Sequence, residues 1–327
     1  MTRRITLVST MKNEGPYILE WIAYHQSIGI TDFVIFSNDC SDGTNLILNR
    51  LDLMGVITHF DNPLGPRMDP QRAAYSRANK LEEVQAADYV LIVDADEFLN
   101  VHTGDRSVNA LIDACPNADA ISVNWRLMGS CGQAQMQDAP VTERFTRGST
   151  FDEPENGLVW GFKTLFRPKT FDFMGVHRPK FFKDRELVPG MAKWYNGAGE
   201  DVGDKYLQKG WRSNKETLGY SLAQVNHYAI KSREEFLLKR LRGTANSKNK
   251  ERIDMGYFDK YNLNANEDAS IPTVGVQDRI DEMMQDADLA SLMRACHDSV
   301  ARTIAYQMQD PKLMRFIETG VFEEEAA

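Results

Sequence analysis

Through its first hundred residues the chain repeats one unit: a short apolar run, a polar turn, then apolar positions at helical spacing. RITLVST is β-branched and opens into MKNEGPY. YILEWIAYHQSIG follows with Ile18, Trp21 and Ile22 on one face and Gly29 placed to end a helix. DFVIFSND predicts a second strand ending in the turn NDCSDGT, and TNLILNRLDLMG a second helix stopped by Gly55. GVITHF is a third strand. DPQRAAYSRANKLEEVQAAD is a third helix with Pro70 near its start, and YVLIVDADEFL is a fourth strand. Strands alternating with helices of this length predict an α/β fold, a mostly parallel sheet covered on both faces.

Beyond residue 100, AISVNWRLMGSCG and LVWGFKTLFRP predict further strands, and GVHRPKFF a turn back into the sheet. Residues 183–219 are polar, rich in Gly and Trp, and carry no firm period. From SREEFLLKRLRG onward the pattern is helical, and QDRIDEMMQDADLASLMRACHDSVARTIAYQ predicts one or two amphipathic helices. The expected organisation is a domain over 1–230 and a helical C-terminal region over 231–327, fraying at EEEAA.

Composition narrows the function classes. The 327 residues are 42% hydrophobic and 26% charged, with a formal net charge of -9. That balance excludes a chain that binds nucleic acid through a generally basic surface. No apolar run of about 18 uncharged residues and no leader-like segment occurs, so the expectation is a cytoplasmic protein without a membrane span, peripheral contact with a membrane staying open. Cys40, Cys115, Cys131 and Cys296 lack C-x-x-C or C-x-x-H spacing, which points to reduced thiols rather than a zinc site or a disulfide framework.

In parallel sheets ligands bind beyond the carboxyl ends of the strands, and here those ends are polar: Thr10, Lys12, Asn13 and Glu14; Asn38, Asp39, Ser41 and Asp42; Asp94, Asp96 and Glu97. Two carboxylates in D-x-D spacing after a buried strand suit a hard divalent cation, Mn²⁺ or Mg²⁺, that leaves positions open for substrate phosphates. A capped strand end is the alternative reading of the same triplet.

VSTMKNEGPY, VIFSNDCSDGT and YVLIVDADEF, in this order and spacing, resemble the nucleotide-sugar-binding half of family 2 glycosyltransferases, whose fold is GT-A, a Rossmann-like architecture. NEGPYILEWIAYHQSIGITDFVIFSNDCSDGT is similar to a bacterial branch of that family that also resembles the family 92 transferases. The likeness covers residues 5–130 and returns in FKTLFRP, GVHRPK and NHYAIKSREEFLLKRLRG. It implies that Thr10, Asn13 and Glu14 border a base pocket, that Asp39 contacts the base, and that Asn38 and Asp42 share its turn. That turn is one residue shorter than the D-D-G-S of many relatives, which leaves the base open, with a UDP-sugar favoured. It further implies that Arg72 and Asn79 face the pyrophosphate and ribose, although a solvated helix position suits Arg72 equally. Asp94 is given to the nucleotide-sugar and, with Asp96, to the metal, which a downstream histidine, His177 or His227, completes.

An inverting transfer needs a carboxylate to take the acceptor's proton. In family 2 it lies in an E-D pair; the literal match is Glu200-Asp201, with Glu97 and Glu143 as rivals. On the SREEFLLKRLRG helix and just before it, Lys231, Lys239, Arg240 and Arg242 offer phosphate clamps or a solvated face. The expected function is a metal-dependent glycosyltransferase moving a sugar from a nucleoside-diphosphate donor to a glycan or polysaccharide acceptor. A nucleotidyltransferase of related fold and a non-catalytic nucleotide-sugar-binding module are the alternatives.

Overall fold

The computed structural model describes residues 3–65, 68–151, 157–243 and 253–322. The fraying expected at EEEAA lies outside the described residues. The first half alternates as the pattern predicts: β1 (Ile5–Met11), α1 (Ile18–Ser27), β2 (Asp32–Ser37), α2 (Thr44–Leu53), β3 (Thr58–Asp61), then α3 (Pro70–Ala78) and the short α4 (Glu82–Gln85). The single helix expected over 69–88 is therefore two, parted at Asn79–Leu81. β4 (Tyr89–Ile92), β5 (Glu97–Val101), α5 (Val108–Ala114), β6 (Ala120–Leu127), α6 (Val141–Arg144), β7 (Arg147–Gly148), β8 (Phe162–Phe166), β9 (Trp194–Asn196) and β10 (Ala223–His227) follow. After them come α7 (Arg233–Arg242), α8 (Met255–Tyr261), β11 (Asn266–Glu267), α9 (Val276–Met284), α10 (Ala287–Gln307) and α11 (Pro311–Thr319).

Nine strands form one sheet in the order β3-β2-β1-β4-β8-β6-β10-β5, with β9 added to β6, and β7 pairs with β11 apart from it. Five of the eight ladders in the large sheet are parallel; those of β8 with β4, β8 with β6, and β5 with β10 are antiparallel. All seven residues of β1 are buried, as a central strand covered on both faces requires. The α/β expectation holds.

One expected strand is two. YVLIVDADEFL turns after Ile92, with Glu97 N donating to Asp94 O at 3.0 Å, and β5 runs to the far end of the sheet order to pair with β10. Both pieces are buried, so the apolar run continues through the turn and the periodicity carries no sign of it. GVHRPKFF does not rejoin the sheet; it makes one isolated bridge, Phe173 to Lys180.

The expected helices past residue 231 form. α7 opens on a capping box in which Ser232 and Glu235 satisfy each other's backbone N–H, an arrangement contributing about 1 kcal/mol. From α9 and α10, Met283, Leu289, Met293, Cys296 and Val300 bury into the same core as Leu7, Trp21, Leu48 and Leu91. α10 comes so close to Gly15 that a Cβ there would overlap the Cys296 sulfur. Among the described residues no helix is long and apolar enough to cross a membrane, and all four cysteines are free.

Candidate active site

The strand directions bring the polar ends together. β1, β2 and β4 are parallel, β6 shares their direction through the antiparallel β8, and β10 runs parallel to β6. The last residues of these strands, with the turn after β4, therefore lie along one edge. There the loops after β1 and β2 are stapled to each other: Asn13 Oδ1 accepts from Ser41 N at 2.8 Å, and Asp42 accepts from Gly15 N and Thr44 N. Asn13 and Asp39 both have positive φ, 52° and 49°, which asparagine and aspartate tolerate better than most side chains.

The acidic turn is held by the first helix. Trp21 Nε1 donates to both Asp94 O and Glu97 O, Tyr24 Oη donates to Leu99 O at 2.8 Å, and His25 packs on Phe98. Glu20, the preceding residue, accepts from Val141 N and Thr142 N at the start of α6. The string EWIAYH thus positions the turn without entering the cavities.

Two cavities of about 290 and 270 Å³ lie along this edge and share Lys12, Glu14, Lys239 and Arg242 as a common wall. The first is lined by Asn13, Asp39, Ser41 and Asp42 from the β1 and β2 loops, by Tyr17 and Lys231, and by Ser299, Val300 and Thr303 of α10. The second is lined by Thr10, Gln71, Asp94, Asp96, His177 and His227, with Trp125, Trp211, Tyr257 and Tyr261 supplying aromatic faces.

Each of the three carboxylates lining the second cavity is ion-paired. Asp94 accepts from Gln71 Nε2 at 2.7 Å and from Lys163 Nζ at 3.0 Å. Asp96 accepts from Lys239 Nζ at 2.7 Å, and its other oxygen lies 3.6 Å from His227 Nε2. Glu14 is paired with Arg242. Burial alone would raise the Asp96 pKa, but Lys239, then His227, overrides it and holds this carboxyl well below the usual range. Glu97 is fully buried 3.1 Å from Lys163; burial raises its pKa to about 7, against the pull of the lysine. Burial, reinforced by Lys163, lowers the His177 pKa to about 3, so that imidazole is neutral.

The residues expected from the sequence divide accordingly. Thr10, Asn13, Glu14, Asp39, Asp42, Asp94, Asp96, His177 and His227 line one cavity or both. The Asn38 side chain donates to Asp39, and Asn38 lines neither cavity. Arg72 is exposed on α3, and Asn79 accepts from Met174 N; neither reaches the cleft. Glu200 and Asp201 fold into a hairpin after β9, with Glu200 accepting from Asn196 and Asp201 from Gly203 N. That hairpin lies beside Leu222 and Ala223, at the end of β10 opposite His227. Glu97 is sealed beneath the turn, and Glu143 is exposed on α6. Gln71, Lys163, Trp125 and Trp211 are not among the expected site residues: the first three lie in segments that carry the family likeness and Trp211 in the polar stretch 183–219, and nothing in their spacing marks them for the cavity.

The described donors do not fit the expected divalent cation. No three of the described His, Cys, Asp and Glu side chains converge as a metal set. Both oxygens of Asp94 are occupied, Lys239 holds one oxygen of Asp96, and His177 Nδ1 is bound to Phe162 O at 3.2 Å. Of the four, Asp96 and His227 approach each other, at 3.6 Å.

A family model for glycosyltransferase family 92 matches residues 8–228. A glycosyltransferase family 92 protein of Oryza sativa subsp. japonica is 25% identical over 153 residues, 46% of this chain and 25% of that protein. One of Ricinus communis is 21% identical over 156 residues, 47% and 28% of the two chains. The matched stretch thus spans only about a quarter of these relatives' length. Among solved structures, Staphylococcus aureus TarS 1–349 in complex with UDP aligns over 51% of this chain and 47% of its own, at 15% identity and a TM-score of 0.33. Glucosyl-3-phosphoglycerate synthase from Mycobacterium tuberculosis with Mn²⁺, UDP and glucosyl-3-phosphoglycerate aligns over 52% and 58%, at 16% identity and a TM-score of 0.31. With the family match extending from within β1 to the residue after β10, the chain belongs to glycosyltransferase family 92.

Proposed function

We propose that the protein transfers a sugar from a nucleoside-diphosphate donor to a hydroxyl of a glycan or polysaccharide. The single observation that carries this reading is the pair of cavities joined by one cationic wall. A base fits the first cavity, where the Asp39 carboxylate suits an imide N–H such as that of uracil. The diphosphate crosses at Lys239 and Arg242, and the sugar enters the second cavity between Asp94 and the faces of Trp125 and Trp211. Lys239 and Arg242 would stabilise the charge that gathers on the leaving diphosphate as the glycosidic bond breaks. The acceptor's proton passes to a group at the second cavity, where the neutral His177 imidazole and the paired carboxylates stand. Inversion rests on the family 2 likeness alone, and the split into a transferase domain over 1–230 and a helical region over 231–327 rests on the helical pattern that begins at SREEFLLKRLRG. The cytoplasmic placement rests on the sequence expectation alone.

Isothermal titration and hydrolysis of a panel of UDP- and GDP-sugars test the reading. One nucleoside diphosphate is expected to bind, and Asp39→Ala to weaken it at least about tenfold, or 1.4 kcal/mol. Failure of every nucleoside diphosphate to bind would sink it. A binding module without chemistry is the second reading, favoured by the ion pairing of every carboxylate that lines the second cavity; it expects binding with neither hydrolysis nor transfer.

The hairpin position of Glu200 and Asp201 gives a separate expectation. Glu200→Gln and Asp201→Asn should each keep the transfer rate within about twofold of the parent, since surface changes away from a site have small effects. A hundredfold loss in either would return the base to this pair.

A further inference from the structure

We propose that side-chain cations alone hold the donor diphosphate here, with Lys239 and Arg242 standing where a divalent ion would otherwise sit, so that donor binding does not require Mn²⁺ or Mg²⁺. This rests on the nucleotide-sugar reading above.

The electrostatic reason for a metal at a D-x-D tip is its uncompensated negative charge. In this protein much of that charge is already met: Lys163 lies 3.0 Å from Asp94 and 3.1 Å from Glu97, and Lys239 lies 2.7 Å from Asp96, so two ammonium groups face the three carboxylates of the turn. The Lys239 and Asp96 side chains are 13% and 8% exposed, so solvent does little to screen that pair, while Lys163 is fully buried and its partner Asp94 is 30% exposed.

Lys239 is also fixed. Its ammonium donates to Ala229 O at 2.6 Å as well as to Asp96, and its helix is anchored at the other end by the Ser232 capping box. A dication bound to Asp96 would lie against that ammonium, and like charges at such range repel strongly in a poorly screened cleft. One turn on, Arg242 reaches Glu14 and donates to Lys12 O at 2.9 Å, which places a second cation on the wall common to both cavities. These cations sit in the last turn of α7, where the helix dipole favours positive charge.

A third cation points the same way. Lys231 lines the first cavity and is 5% exposed, its ammonium 4.2 Å from the centre of the Tyr17 ring. Among the described residues it makes no ion pair within 4 Å. A buried ammonium without a carboxylate partner is costly unless an anion arrives to meet it. A diphosphate crossing between the cavities would be that anion, and Lys239 and Arg242 of the shared wall, with Lys231 of the first cavity, supply the charge that a divalent ion supplies elsewhere.

The experiment is calorimetric titration of the full chain with UDP and with GDP, first in EDTA and then with added Mn²⁺. The expected result is an affinity in EDTA within about threefold of that with Mn²⁺ for whichever nucleotide binds. A larger gain with Mn²⁺ overturns the inference and leaves the nucleotide-sugar reading standing. Absence of binding under both conditions overturns the reading, and the inference falls with it. Lys239→Met is expected to lower the affinity in EDTA at least about tenfold. Added Mn²⁺ should then restore part of it, because Asp96 and His227 become an open pair. An unchanged affinity of this variant in EDTA would also overturn the inference, and the parent comparison stands whether or not the variant folds.

Discussion

Lys163→Met is expected to lower the free energy of unfolding by about 3–5 kcal/mol, the range found when one partner of a buried ion pair is removed. Lys163 Nζ lies within 3.1 Å of both Asp94 and Glu97 and donates to Val176 O, all from a fully buried side chain. Methionine fills the space of the aliphatic stem but leaves the Glu97 carboxyl buried without its cation. Glu97 also sets the sign of the pH dependence. Its pKa in the folded protein is about 7, above its ordinary value, so the folded state binds more protons between about pH 4.5 and 7. The contribution of this group is therefore complete below about pH 4.5 and is lost as pH rises through 7. Removing the lysine pushes the carboxyl higher still, so the deficit of the variant should be larger at pH 8 than at pH 5. Urea midpoints at the two pH values, with unchanged slopes, measure this. A deficit below about 1 kcal/mol at pH 8 would show that the buried acid does not depend on Lys163.

Asp96→Asn is expected to reduce the transfer rate by about 10²–10³-fold, the usual cost of losing one preorganised electrostatic group at a reacting centre. Asp96 is 5% exposed and holds the Lys239 ammonium at 2.7 Å, on the wall where the leaving diphosphate would gather charge. Asparagine keeps the shape and one acceptor, so the fold should persist, with a loss of stability of up to about 3–5 kcal/mol from leaving the Lys239 ammonium without its carboxylate. Without the carboxylate's charge, however, Lys239 keeps only its bond to Ala229 O, and its field at the wall changes. The rate with saturating donor should fall much further than donor affinity, a division that loss of folding would not produce. A loss below about tenfold would remove Asp96 from the chemistry.

The sequence carries the fold well where pattern and burial coincide. β1, β2, β4 and the helices between them follow from short apolar runs set between polar turns, and the acids at the strand ends line the cavities because parallel strands deliver their carboxyl ends to one edge. What the pattern could not carry is what comes from far along the chain. Lys163 sits in GFKTLF, where a polar residue between apolar ones reads as facing water, yet the sheet covers both faces and the lysine is buried against Asp94. Gln71 belongs to a polar helix and gains meaning only through a 2.7 Å hydrogen bond to a residue 23 positions on. The E-D pair at Glu200 shows the converse limit: acidic pairs are common in polar hairpins, and only topology places this one at the opposite end of β10 from His227.

Ser299, Val300 and Thr303 of α10 face Asp39 across the first cavity, more than 250 positions away in the chain. If the first cavity receives the base, as proposed, choice among donor nucleotides can drift through substitutions in the last quarter of the protein while every signature segment of the first half stays intact. Two members of this family with identical motifs need not prefer the same nucleobase.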